Sequence, residues 1–178
     1  MGNSDQHKDP IRLCYDRHDR IQPAILDQIQ RLIIKGGGVG TKLIPENLQN
    51  AFLIGYAIDP SDKVLGTVTL KRPKAEYRNK IEAVTGWDLS GYLERGYTSI
   101  EKGVRGGAIA DSLIKGLIER SENRKIYTTI RMDNHRALKL TRKNGMSLAA
   151  AFKNWRTGRE IGLFVNEPGR KDHSLSGE

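Results

Sequence analysis

The run Arg105-Gly106-Gly107-Ala108-Ile109-Ala110 sets four small residues in near succession beside a cation. Ile109, Leu113, Ile114, Leu117 and Ile118 then recur at helical spacing, so the small residues stand where a helix begins. A helix start carries unpaired N–H groups and the positive end of the macrodipole. Small side chains let phosphate oxygens come close to those donors, and Arg105 would add positive charge. Two readings stand open on this stretch alone. One is an anion site for a phosphate-bearing ligand, formed by residues 105–110. The other is an ordinary helix start packed on a sheet.

A second constellation follows: Asn134, Ala137, Leu140, Thr141, Lys143, Gly145 and Met146. Asn134 and Thr141 are seven apart, about two helical turns, and so share a face. Ala137 lets that face approach a neighbour. A plain amphipathic helix stopped by Gly145 is the alternative reading. Gly36–Gly40 is glycine-rich too, but it follows a helix and lacks the Lys-Ser/Thr of a phosphate loop. His7, His18, His135 and His173 show no zinc spacing, and the carboxylates form no divalent-metal motif, so no metal is expected. Cys14 is the one cysteine; it can form neither an internal disulfide nor a thiol-rich metal site. A reducing, cytoplasmic compartment is the expectation.

The elements that must position these residues read as follows. Ile11–Tyr15 alternates as a short strand, and 22–35 is an amphipathic helix with Pro23 in its first turn. The glycines at 36–38 end it, and 45–50 is a further helical turn. Ala51–Ile58 and Val64–Leu70 are β-rich runs joined by Asp59-Pro60-Ser61-Asp62-Lys63, a hairpin by its turn chemistry. Residues 71–92 carry no assignable element. Leu93–Ile100 is a strand, 106–121 a helix, Ile126–Arg131 a strand, and Asp133–Asn144 a helix closed by Gly145. Ser147–Trp155 and Glu160–Val165 form a last hairpin turned by Arg156-Thr157-Gly158-Arg159. This order predicts an α/β layer on a mixed sheet. Residues 10–167 are expected to be a single domain, between a flexible segment 1–9 and a flexible tail 168–178.

The two constellations, in this order and at this separation, resemble the GNAT acyltransferase superfamily. That family carries Arg/Gln-x-x-Gly-x-Gly/Ala after its fourth strand and Asn-x-x-Ala-x-x-Leu-Tyr-x-Lys-x-Gly-Phe on its last helix. The resemblance spans about residues 11–165. It implies a mostly antiparallel sheet flanked by helices, with a splayed central strand pair. It also implies acetyl-CoA, or another acyl-CoA, as co-substrate. The pyrophosphate would sit on the N–H groups of Gly106, Gly107, Ala108, Ile109 and Ala110, with Arg105 beside it. The pantetheine arm would pair with backbone near Ser99 and Ile100, and Asn134 would bond it from the other side.

The chemistry so implied is N-acylation by direct attack in a ternary complex. An alkyl amine of pKa ~10.4 is almost wholly protonated at neutral pH, so a general base matters. Glu94 and Glu101, which flank the fourth strand, are the candidates. A backbone N–H near Ser99 or Ile100 would hold the oxyanion. Three residues depart from the family pattern. Ala108 replaces a glycine and Met146 an aromatic. Thr141 is the catalytic candidate that stands where the family's general-acid tyrosine would be, and its hydroxyl is shorter and less acidic, so either another group or water would protonate the thiolate, or the chemistry would be weak or absent.

Composition sets the remaining bounds. The chain has 178 residues, 37% hydrophobic, with a formal net charge of +9. No apolar run approaches the ~20 residues of a membrane helix, and the first twenty residues contain no signal-like apolar block. The acceptor is expected to be a small-molecule or protein amine. Nucleic acid is a less favoured partner suggested by the charge, and a homodimer is compatible with the sequence. The alternative to an enzyme is a weak or inactive module of the same fold that binds CoA or nucleic acid. A Rossmann-type dinucleotide protein lacks support, because the Gly-x-Gly-x-x-Gly spacing and its acidic ribose ligand are missing.

Overall fold

The computed structural model describes residues 10–37, 40–104 and 106–167. In chain order the strands and α-helices are β1 Arg12–Asp16, α1 Pro23–Gly36, α2 Ile44–Gln49, β2 Ala51–Ile58, β3 Val64–Lys71 and α3 Ala75–Thr85. They continue with β4 Leu93–Ile100, α4 Gly106–Glu119, β5 Ile126–Arg131, α5 His135–Lys143, β6 Ser147–Lys153 and β7 Glu160–Asn166. The strands lie in the order β1-β2-β3-β4-β5-β7-β6. The β1–β2, β2–β3, β5–β7 and β6–β7 pairs are antiparallel, and β4–β5 is parallel. Of the eight residues of β4, Leu93 and Glu94 are registered on β5, opposite Ile126 and Tyr127.

Two compact units share β4, with the division between Glu94 and Arg95. The first holds residues up to Arg72 together with Arg95–Ser121. Its β2–β3 hairpin turns where Asp59 Oδ1 accepts from the Ser61 and Lys63 N–H groups at 2.9 and 3.0 Å, as the turn chemistry predicts. Successive β2 side chains alternate between faces. Ile54, Tyr56 and Ile58 meet Ile25, Ile29 and Ile33 of α1 and Ile44 and Leu48 of α2. Gly55 lies on the other face, where a Cβ would touch Leu117 of α4 and the Tyr15 ring. Two helical layers thus bury both faces of the hairpin, which explains why β2 and β3 read as near-continuous apolar runs.

The second unit holds Pro73–Glu94 and the chain from Glu122 onward. Its core gathers Ile81, Leu89, Tyr92, Tyr127, Phe152, Leu163 and Val165. The segment without an assignable element contains helix α3. It has a weak apolar stripe, with Ile81 as its buried residue, and ends where Gly86 takes the left-handed conformation (φ 68°). The i,i+4 pair Glu76–Lys80 supports it locally, at 2.6 Å. The last hairpin is also shorter than its apolar pattern suggests. β6 ends at Lys153, and Asn154 Oδ1 accepts from the N–H groups of Arg156 and Thr157, which places Trp155 in the turn. Among the described residues no helix is long and apolar enough to cross a membrane.

Candidate functional site

In the first unit β4 leads through a turn into α4. Gly103 takes φ 83°, and the Val104 N–H donates to the Glu101 carbonyl at 3.4 Å. Gly107 and Ala108 are exposed, whereas Ile109 and Ala110 are buried. A Cβ at Gly107 would meet no atom within 4 Å, so the helix surface at Gly107 faces open space. Ile109 anchors this end from below: a Cβ at Gly66 would come within 3.1 Å of it and 2.6 Å of Ile100. Arg105 lies outside the described residues.

The β4 residues near this turn face opposite ways. Ile100 packs over Gly66, while the Ser99 hydroxyl lies where a Cβ on Gly36 would fall, at 2.7 Å. Glu101 follows. Its N–H donates to the Leu65 carbonyl at 2.9 Å, and its carboxylate accepts from Lys35 Nζ at 2.7 Å. That hydrogen bond and the charge of Lys35 hold Glu101 below the usual carboxylate range, which makes it a weaker base.

Two further β4 residues escape a reading of local pattern. Tyr97 has φ 49°, an outlier for a bulky residue inside a strand. It is clamped there: Asn47 Nδ2 donates to its hydroxyl at 2.6 Å, and Lys71 Nζ sits 4.6 Å from its ring centroid. Arg95 is 6% exposed, and burial pulls its guanidinium down to about 10, which still leaves it charged at neutral pH. The sequence offers no sign of either feature, because both depend on packing from elements far away in the chain.

The second unit holds Glu94, Asn134 and Thr141. Glu94 is half-buried and stands in register with Tyr127 on β5. Tyr127 and Thr129 are two apart and so share a face of β5. Tyr77 of α3 comes to the same place, its hydroxyl 3.0 Å from Thr129 Oγ1. The charge of Glu94 acts on both Tyr77 and Tyr127, so the structure brings two phenols near this carboxylate, a pairing the sequence does not reveal. Tyr77 also packs against Trp155, with ring centroids 5.8 Å apart and the planes tilted by 58°.

Asn134 begins α5 as its N-cap. Its Oδ1 accepts from the Ala137 N–H at 3.1 Å, satisfying one donor of the first turn. Thr141 is 1% exposed and, with Leu138, forms the buried face of α5. Asn134 itself is exposed, so the seven-residue spacing does not give the two residues the same environment. Gly145 closes the helix at φ 75°, and Met146 is buried beyond it.

No protein-family model matches the chain, and no curated protein matches it in sequence. Solved structures do match. Arabidopsis thaliana NAA60 in complex with acetyl-CoA is 16% identical with a TM-score of 0.67, over 88% of this chain and 99% of that one. Arabidopsis thaliana Naa50 in complex with the bisubstrate analogue CoA-Ac-MVNAL is 16% identical with a TM-score of 0.63, over 87% and 98%. A GNAT family acetyltransferase from Elizabethkingia anophelis with acetyl-CoA bound is 17% identical with a TM-score of 0.61, over 90% and 99%. At these identities the likeness is one of fold.

Proposed function

We propose that this chain, whose fold is that of the GNAT acetyltransferases, transfers an acetyl or other acyl group from acyl-CoA to an amine. The observation that supports this reading is the start of α4, where Gly107 and Ala108 are small and exposed and a Cβ on Gly107 would meet no atom within 4 Å. That geometry suits a diphosphate, because unpaired helix N–H groups and the macrodipole both favour anions there. Gly106, Gly107, Ala108, Ile109 and Ala110 would hold it, with the β4 backbone at Ser99 and Ile100 along the arm. When bound, the donor supplies an acyl group activated as a thioester.

The chain's own residues then have two tasks. The first is to take a proton from the acceptor's ammonium so that its nitrogen lone pair is free. We assign this to Glu94 rather than Glu101, because Lys35 already pairs with the Glu101 carboxylate. The second is to stabilise the negative charge that grows on the acyl oxygen. We assign this to a β4 amide between Tyr97 and Ile100, where the left-handed residue takes the strand out of its regular course. Thr141 is sealed in the core, so solvent is assigned the proton that the departing thiolate takes up. The donor and acceptor react directly, and Cys14 has no covalent role.

Calorimetric titration with acetyl-CoA tests the binding step, and release of free thiol in the presence of an amine panel tests turnover. Saturable binding with acceptor-dependent thiol release is the expected outcome. Absence of binding at millimolar acetyl-CoA overturns the reading. Binding without thiol release from any amine would instead favour a CoA-binding module without turnover.

A further inference from the structure

The cluster around Glu94 contains more than a base needs. Tyr127 is fully buried; its hydroxyl lacks a hydrogen bond of good geometry, and Glu94 is the carboxylate that acts on it. A hydroxyl removed from water without a partner is costly, so a native protein keeps one for a reason. The registered residue on the neighbouring strand is Glu94. Tyr77 approaches the same place from α3, fixed by its 3.0 Å contact with Thr129 Oγ1. Where Thr129 donates in that contact, the Tyr77 proton is left to point elsewhere.

Resting on the assignment of Glu94 as base, we propose that Tyr77 and Tyr127 are positioning residues that donate hydrogen bonds toward the Glu94 carboxylate and aim it at the acceptor's nitrogen. Neither phenol is a proton donor in the reaction. Burial first, and then the charge of Glu94, raise both phenols above their usual range, so each keeps its proton and acts only by orientation. The other charges acting on the cluster are Arg78 of α3, whose Nε lies 3.7 Å from Glu82 Oε1, and Arg156 of the β6–β7 turn. Tyr77 comes from a helix that has its own weak apolar stripe, which gives α3 a purpose beyond covering the sheet.

The test uses the full chain labelled with 13C at tyrosine Cζ, which reports hydrogen bonding at the hydroxyl and requires neither donor nor acceptor. The chain has six tyrosines, and Tyr→Phe variants assign the two signals of interest. Glu94→Gln is expected to move the Tyr77 and Tyr127 signals and to leave those of Tyr15, Tyr56 and Tyr97 in place. Unmoved Tyr77 and Tyr127 signals overturn the proposal. In turnover assays Tyr127→Phe should lower kcat by about 3- to 30-fold, the size expected for one orienting hydrogen bond, with acetyl-CoA affinity unchanged. A Tyr127→Phe variant with unaltered kcat also overturns it. If Glu94→Gln keeps full turnover while the two signals move, the base assignment fails and the phenol–carboxylate contact stands. If Glu94→Gln abolishes turnover while the signals stay still, the base assignment stands and the contact fails.

Discussion

Gly107→Glu separates the stability of α4 from its proposed role as an anion site, because the two respond with opposite sign. Gly107 is the second residue of α4, exposed, and a Cβ there meets nothing within 4 Å, so the new side chain starts out into open space. Replacing glycine in a helix by glutamate gains about 0.5 kcal/mol in propensity. A carboxylate in the first turn gains about 0.3–1 kcal/mol from the macrodipole. Together these predict a variant more stable by about 1 kcal/mol, with Tm raised by about 2–4 °C for a chain of this size. The same carboxylate would stand beside a bound diphosphate. Two like charges ~4 Å apart repel by about 1 kcal/mol at the dielectric of water and about 4 kcal/mol at the value typical near a protein surface. Acetyl-CoA affinity should therefore fall by roughly fivefold to a thousandfold. Thermal denaturation and calorimetric titration on the same sample read both numbers, with Gly107→Ala as the neutral control. A Gly107→Glu variant that binds acetyl-CoA within twofold of the parent refutes the placement of the diphosphate on α4.

Two shorter predictions follow from other residues. Asn134→Ala removes the cap of α5 and should cost about 1 kcal/mol in urea denaturation, whereas Asn134→Asp, which keeps an acceptor oxygen, should cost much less. Equal losses in the two variants would show that the cap is not what Asn134 contributes. Glu101 is held low by Lys35, so its share of stability is present above the ordinary glutamate range and disappears as pH falls through the depressed folded value. Glu101→Gln should accordingly lower Tm at pH 7, and the gap to the parent should close on acidification. A gap that stays constant with pH argues that the Lys35 contact contributes nothing.

Periodicity and punctuation suffice for much of this molecule. The apolar spacing of α1 and α4, the alternation of β1, and the Asp59–Lys63 turn are local signals, and the structure places those elements within a residue or two of expectation. Their type follows from which face must be apolar, and that is written along a single segment. Helix α3 does not follow in this way, because its apolar stripe is weak and its buried side chain, Ile81, gains its meaning only in the second unit's core. The same holds for the site. Asn134 and Thr141 share a spacing, but packing exposes the first as a cap and seals the second. The left-handed Tyr97 is held by Asn47 and Lys71, which come from other elements. The meeting of Glu94, Tyr127 and Tyr77 depends on a parallel register and a helix docked from another part of the chain. Contacts between distant segments arise only when the chain closes on itself. The kinds of residue available were therefore present in the sequence, while their company was decided by tertiary packing.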